Sequence, residues 1–513
     1  MEQTITLDGG SLTPEQVVSV ARRGAQVRVA EEAWERVAVS RQVVDDLVAS
    51  GEVAYGITTG FGEFAHVTIQ PDQVRDLQKN LIMSHSVGVG QPLPDEVVRA
   101  MQLIRINTLV KGVSGVRREL VERLVLFLNE GIVPVVPSRG SVGASGDLAP
   151  LAHMALPVIG LGRVRMAGGK EVPALEAHGS LGVEPLQLEA KEGLALINGT
   201  QLMSGIGALV VCDAEALLAD AQIAAAMSLE ALMGSVAPFA PEVHAARPHP
   251  GQAAVAANLR LLTEGSSILH SHEDCGRVQD AYSIRCLPQV LGACRDVVAQ
   301  ARRVVEVEIN SATDNPLVFP DGRIISQGNF HGEPIAFQLD FLAVALAEIG
   351  SMSERRIERL VNPDLSEGLK PFLVEAGGLN SGFMIAQYVA AALVSENKVH
   401  AHPATVDSIP TSAGQEDHVS MGSVAALKLA QVLENVRNVV AIEALCATQA
   451  LDFKQDEGLE AGVGSQAAHD RVRADVPRLD ADRILADDVE ALAALLQEGA
   501  LRQAVAAAGV TLA

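Results

Sequence analysis

Within the segment Gly140-Ser-Val-Gly-Ala-Ser-Gly-Asp-Leu-Ala-Pro-Leu-Ala152, three small residues, Ala144, Ser145 and Gly146, could do chemistry on themselves. Gly146 has no Cβ, so its backbone nitrogen can come close to the Ala144 carbonyl. Ring closure with loss of water, together with dehydration of the Ser145 side chain, would leave an exocyclic methylidene on an imidazolone. That product is a strong electrophile made from the chain alone. The plainer account of the same residues is a glycine-rich turn, capped by Asp147, that opens a helix over Leu148–Leu156.

Other chemistries are poorly provided for. The sequence has no G-x-x-x-x-G-K-[ST] phosphate loop and no H-E-x-x-H, and Gly160-Leu-Gly162-Arg-Val-Arg165 fails the dinucleotide fingerprint at its third glycine. His270-x-His272-Glu273-Asp274-Cys275 has metal-ligand residue types but no second half, and such a pair is ordinarily a hydrogen-bonded loop feature. No metal is expected.

All thirteen positions from Gly140 to Ala152 resemble the signature of the histidine and aromatic amino acid ammonia-lyases. Members of that family carry a 4-methylidene-imidazol-5-one formed from Ala-Ser-Gly. Further segments resemble the same family in the same order. They are Tyr55-Gly-Ile-Thr-Thr-Gly-Phe-Gly62, Asn80-Leu-Ile-Met-Ser-His-Ser-Val-Gly-Val-Gly90 and Asn198-Gly-Thr-Gln201, followed by Gln279-Asp-Ala-Tyr-Ser-Ile-Arg285, Gly328-Asn-Phe-His331 and Gln415-Glu-Asp-His-Val-Ser-Met421.

The resemblance implies a role for each matched residue. Ala144, Ser145 and Gly146 are the precursor of the prosthetic group, and no external cofactor is needed. Tyr55 is the candidate base for the β-proton, with Glu416 the other group that could take it. Arg285 clamps the substrate carboxylate with its planar fork. Asn198, Gln279 and Tyr282 hydrogen-bond the prosthetic ring or the substrate, and Phe330 packs near the ring. His85, Met384 and Glu416 set substrate choice. A histidine at 85 goes with polar substrate side chains, Glu416 faces an imidazole, and Met384 in Asn380-Ser-Gly-Phe-Met-Ile-Ala-Gln387 matches histidine-type members.

These residues together imply elimination of ammonia from L-histidine to give trans-urocanate, the first step of histidine breakdown. A tyrosine ammonia-lyase or aminomutase with the same group is the alternative. Gly414 stands where many histidine-type members have Asn, and Ser86 replaces a frequent Ala. A scaffold without chemistry would be indifferent to Ser145→Ala. Fumarase-type lyases share the bundle, but their Gly-Ser-Ser-x-Met-Pro-x-Lys-x-Asn loop does not occur.

Taken one at a time, the same residues have ordinary explanations. Asn198 could be a turn residue before Gly199, Phe330 a core ring, Arg285 half of a structural ion pair in an acidic protein, and Glu416 an acid preceding a helix. The tyrosines weigh the other way. Only three occur in the chain, and Tyr55 and Tyr282 both lie in matched segments.

The elements that position such groups are mainly helical. From about Gln201, apolar residues recur in steps of three and four. Leu429, Val432, Val436 and Val439, for example, lie within a run from Val424 to Ala450, with Lys428, Gln431, Glu434 and Arg437 on other faces. Similar patterns cover Gln201–Leu232, Gln289–Ile309, Glu333–Val361 and Ser381–Val399, and an earlier one covers Asp95–Asn129. Several rods in succession predict a long-helix bundle with shorter helices from about Leu451, and the resemblance implies that the bundle is of the fumarase/aspartase-like kind. The first stretch, 1–200, is broken by turn residues. It predicts a smaller mixed N-terminal lobe carrying the prosthetic group and the Tyr55 loop, with the bundle over 201–513.

The chain has 513 residues, 48% hydrophobic and 20% charged, which excludes a disordered or fibrous protein. Its 39 basic and 63 acidic residues give a net charge of −24, which disfavours nucleic acid as a partner. The N-terminal residues show no secretory pattern. The apolar tract from Leu148 to Gly162 is too short to span a bilayer, so no membrane is expected. Five cysteines without paired spacing point to a reducing cytoplasm. The resemblance implies a homotetramer with each site built from several chains.

Overall fold

The computed structural model describes residues 4–60, 62–273 and 275–513. Phe61 of the tyrosine loop, Asp274 of the histidine pair's segment and the first three residues lie outside it. Helices dominate, and the longest are Gly422–Asp456, Gln201–Ala231, Glu333–Val361 and Leu287–Glu308. The periodicity has its physical reason in burial. Leu429, Val432, Val436 and Val439 are completely buried while Glu434 is exposed. The architecture is the mainly α, long-helix bundle expected.

One expected helix is two. Asp95–Asn129 divides into Asp95–Leu109 and Arg118–Asn129. Between them Gly112 and Gly115 take φ of +81° and +70°, and a Cβ on Gly112 would lie 2.3 Å from that of Arg36. Only glycine satisfies both demands.

The chain forms two compact units interleaved in sequence. The first comprises residues 4–212, 301–340 and 403–427, and the second 213–300, 341–402 and 428–513. A single cut near residue 200 does not describe them, because the changeovers at 212, 300, 340 and 427 fall inside the four longest helices. Two later segments return to the first unit, so it is not the smaller one.

The first unit is the mixed one. Every strand among the described residues belongs to it, in three two-stranded sheets and one three-stranded sheet. In the second unit, Arg356 and Glu443 are both fully buried, paired at 2.5 Å (Nε to Oε1) and 2.8 Å (Nη2 to Oε2). Ser228 also donates to that carboxylate at 2.8 Å, so the buried charge is satisfied on several sides. The helices Gln201–Ala231 and Glu333–Val361 are long and apolar enough to cross a membrane, but their most apolar stretches are mostly buried in the protein.

Candidate active site

A cavity of about 900 Å³ opens in the first unit, and the glycine-rich segment forms part of its wall. Gly146 is fixed there by a requirement that no other residue meets. Its φ is +72°, and a Cβ would lie 2.1 Å from the Gly199 carbonyl oxygen. The two glycines pair as a parallel bridge, with Asp147 N donating to Gly199 O at 2.7 Å. The Ala144-Ser145-Gly146 turn is thus pressed against the Asn198-Gly199 turn. Asn198 completes the clamp by donating its Nδ2 to the Ser145 carbonyl at 2.7 Å.

Asp147 does not cap the helix that follows it. That helix spans Ala149–Ala155 and begins at Leu148, whose φ is +40° and which has no capping side chain. The fully buried Asp147 carboxylate instead accepts from Leu202 N at 2.7 Å, at the start of Gln201–Ala231, and from Ser423 Oγ at 3.2 Å. Burial pushes its carboxyl up to about 7, against the pull of these donors. Its task is to anchor the turn to the long helix.

Glu416 faces the turn from the other side. Its Oε1 accepts from Ser145 Oγ at 2.6 Å and its Oε2 from Thr411 Oγ1 at 2.7 Å. A tight turn carries it, with Thr411 and Glu416 exchanging backbone hydrogen bonds. Gly414 sits at φ +87° in this turn, a conformation that glycine takes freely and that asparagine also tolerates.

His85 ends the helix Val74–His85, and its Nδ1 lies 2.9 Å from the Leu81 carbonyl. Burial lowers its pKa, opposed by that carbonyl and by the Glu416 charge. Tyr55 lies half-buried on a loop, its hydroxyl accepting from Gly62 N at 3.4 Å. Phe330 lines the same cavity, as do His331 and His418, whose rings meet edge to face at 5.7 Å.

Seven of the residues singled out by sequence, Tyr55, His85, Ala144, Ser145, Asn198, Phe330 and Glu416, therefore share one cavity, and Gly146, next to Ser145 in the chain, is buried. Gln279, Tyr282, Arg285 and Met384 belong to the second unit and do not line it. Tyr282 is 69% exposed, and the Arg285 guanidinium stacks 4.7 Å from its ring centre. Among the described lining residues none is Lys or Arg. His272 turns both ring nitrogens to backbone carbonyls, those of Ile268 (2.8 Å) and Gly234 (3.2 Å), as a loop histidine does.

Sequence reasoning missed Thr411 and Arg105. Arg105 is fully buried and donates to Ala195 O at 2.9 Å, to Asn198 O at 3.0 Å and to the Gln201 side chain. Burial lowers its pKa to about 10, still cationic at neutral pH. A signal was present, because an arginine between Ile104 and Ile106 in an apolar helix must find partners. Thr411 had none.

The arrangement fits a ring made from residues 144–146. The Gly146 cradle excludes any side chain. The buried Asn198 keeps its Oδ1 without a partner while its Nδ2 holds the loop.

Known proteins of one family match the chain along most of its length. The aromatic amino acid lyase family matches residues 12–474. A histidine ammonia-lyase of Gloeobacter violaceus is 54% identical over 505 residues, 98% of each chain. One from Deinococcus radiodurans is 56% identical, over 97% of this chain and 94% of its own. Among solved structures, histidine ammonia-lyase from Trypanosoma cruzi superposes with a TM-score of 0.92 at 45% identity, covering 99% of this chain and 96% of that one. Tyrosine aminomutase from Streptomyces globisporus gives 0.94 at 41% identity, with both chains fully covered. The backbone alone does not separate these two activities. Sequence identity favours the first.

Proposed function

Because the chain belongs to the aromatic amino acid lyase family, we propose that this ammonia-lyase acts on L-histidine, eliminating ammonia to give trans-urocanate, as the first step of histidine degradation. The observation that carries the reading is the meeting of Ala144-Ser145-Gly146 with Tyr55, His85 and Glu416 in one cavity. The 53–56% identity to histidine ammonia-lyases supports histidine over tyrosine.

Residues 144–146 would hold the 4-methylidene-imidazol-5-one. When formed, it supplies an electrophilic carbon that makes the substrate amine a leaving group, with no external cofactor. The remaining work falls to side chains. Tyr55 takes the β-proton at its phenolic oxygen. Tyr55 is supported in that role by its place in the wall of the same cavity; ring formation removes the Ser145 donor from Glu416 Oε1, so Glu416 remains the other group that could take the proton. Glu416 and His85 flank the substrate imidazole, and the Glu416 carboxylate suits a ring that carries N–H donors. Asn198 orients the loop, and Phe330 keeps water from the reacting atoms.

A substrate carboxylate needs a cation, which the described lining of this cavity does not offer. We assign that role to Arg285, with Gln279, Tyr282 and Met384 beside it, delivered by another copy of the chain in a homotetramer with shared sites. The exposure of Tyr282 (69%), Val278 (93%) and Leu379 (87%) in the second unit supports burial against such copies. Five cysteines without paired spacing in the sequence suit a cytoplasmic enzyme.

Purified protein incubated separately with L-histidine, L-tyrosine and L-phenylalanine tests the reading. Conjugated product from histidine alone is expected, and turnover of tyrosine without histidine would overturn it.

A further inference from the structure

The Ser145 hydroxyl must leave as water if residues 144–146 are to mature, and hydroxide is a poor leaving group without a proton donor. The 2.6 Å contact between Ser145 Oγ and Glu416 Oε1 places a carboxyl group on that oxygen before any substrate is present. Thr411 Oγ1 holds the other carboxylate oxygen at 2.7 Å and so fixes the direction in which the first one points. The Glu416 backbone is tied in turn to Thr411 by paired hydrogen bonds. Meanwhile Asn198 Nδ2 draws on the Ser145 carbonyl, which makes the Ser145 Cα–H more acidic. The serine is held between a donor on its carbonyl and a carboxyl group on its hydroxyl.

We propose that Glu416 is the acid that matures this protein, protonating Ser145 Oγ as the side chain dehydrates. The inference rests on the reading that residues 144–146 form the prosthetic ring. Gly146 N bonds to the Ala144 carbonyl carbon; the carbonyl oxygen departs as the first water with the Gly146 and Ser145 amide protons, and a C=N bond forms between Ala144 C and Ser145 N. In the second step the Ser145 Cα proton passes to a cavity water, and its electron pair forms the Cα=Cβ bond. The Cβ–Oγ bond breaks as protonated Glu416 gives its proton to Oγ, releasing the second water. The hydronium formed from the cavity water returns a proton to Glu416. No oxidant or cofactor takes part, and the chain ends two waters lighter.

The test weighs the tryptic peptide 140–163 from full-length protein purified at intervals after expression is stopped. Wild type should lose two waters. In Glu416→Gln, whose amide has no acidic proton, the loss of the second water should slow by about 100-fold, the usual worth of a positioned acid, leaving a peptide one water short. Thr411→Val keeps the carboxyl group but frees its orientation, and should slow the same step by about tenfold. Loss of both waters by Glu416→Gln at the wild-type rate overturns the proposal. If Glu416→Gln does not fold, as judged by circular dichroism, Thr411→Val decides, and an unchanged rate there also overturns it. A wild-type peptide at full weight would instead bring down the functional reading on which the inference rests.

Discussion

Asn198 Nδ2 donates to the Ser145 carbonyl at 2.7 Å, while Asn198 Oδ1, equally buried, has no partner. A buried amide that is half satisfied carries a cost, and such a group persists where it serves a second purpose. Here the free oxygen lies on the residue that grips the reactive turn. Asn198→Ala should lower kcat by roughly 100-fold, in the range of a lost preorganised donor. It should destabilise the fold by about 1–3 kcal/mol, because the Ser145 carbonyl loses its donor. Asn198→Asp should be worse, since a carboxylate would face that carbonyl. Steady-state kinetics and thermal melts of both variants check this, and an Asp variant as active as wild type would refute the assignment.

Gly146→Ala is expected to abolish activity by geometry before chemistry. At φ +72° an L-residue costs about 1–3 kcal/mol, and the added methyl would overlap the Gly199 carbonyl at 2.1 Å. The turn must then pull away from Asn198 and Glu416. The peptide carrying residues 144–146 should keep its full mass even where the variant is folded by circular dichroism. Ser145→Ala, which fits the space, should keep a native melting temperature and still show no turnover.

Much of this was legible in the sequence, for identifiable reasons. A long helix writes its buried face every three or four residues, so Leu429, Val432, Val436 and Val439 could be read as one stripe. The reactive turn could be read because its chemistry depends on residue identity at three consecutive positions. What escaped were relations between distant segments. Glu416 meets Ser145 across 271 residues, and Thr411 is an ordinary threonine until the turn closes. Asp147 looked like a cap for its own helix, and only the fold reveals that it serves Leu202. The break in Asp95–Asn129 was missed because apolar spacing continues across Gly112 and Gly115, and the left-handed turn depends on what packs there.

Acid should weaken the first unit through two half-buried histidines. Burial lowers the pKa of both His85 and His153, and His153 Nε2 accepts from Gly88 N at 3.0 Å, a bond that only the neutral ring can make. Below the ordinary histidine value of about 6.5 the unfolded chain binds protons that the folded one refuses, so stability falls with falling pH. The fall stops once the pH has passed below the depressed folded values, and above about 6.5 neither histidine contributes a slope. Asp147, its carboxyl raised to about 7, pulls the other way over the same range, so urea denaturation from pH 8 to pH 5 reads the histidine share of the slope by comparison with a variant. His153→Gln, which keeps an acceptor for Gly88 without a titrating ring, should remove part of that share. An unchanged slope in that variant would show that the loss arises elsewhere.

Arg105 supplies the last expected outcome, because it acts on the reaction through other residues. Its guanidinium spans the Ala195 and Asn198 carbonyls and the Gln201 side chain, so three points around the Asn198-Gly199 turn are held by one rigid fork. Lysine has the charge but not the fork, and cannot meet all three acceptors from one nitrogen. Arg105→Lys should therefore cost about 1–3 kcal/mol for each buried acceptor it abandons. The Asn198 turn would loosen while His85 and Glu416, proposed above to flank the substrate imidazole, stay in place. Kinetically, kcat should fall by tenfold or more with KM nearly unchanged, and loss of water from peptide 140–163 should slow in parallel. A variant with raised KM and normal kcat would place the role of Arg105 in substrate binding and refute positioning through Asn198.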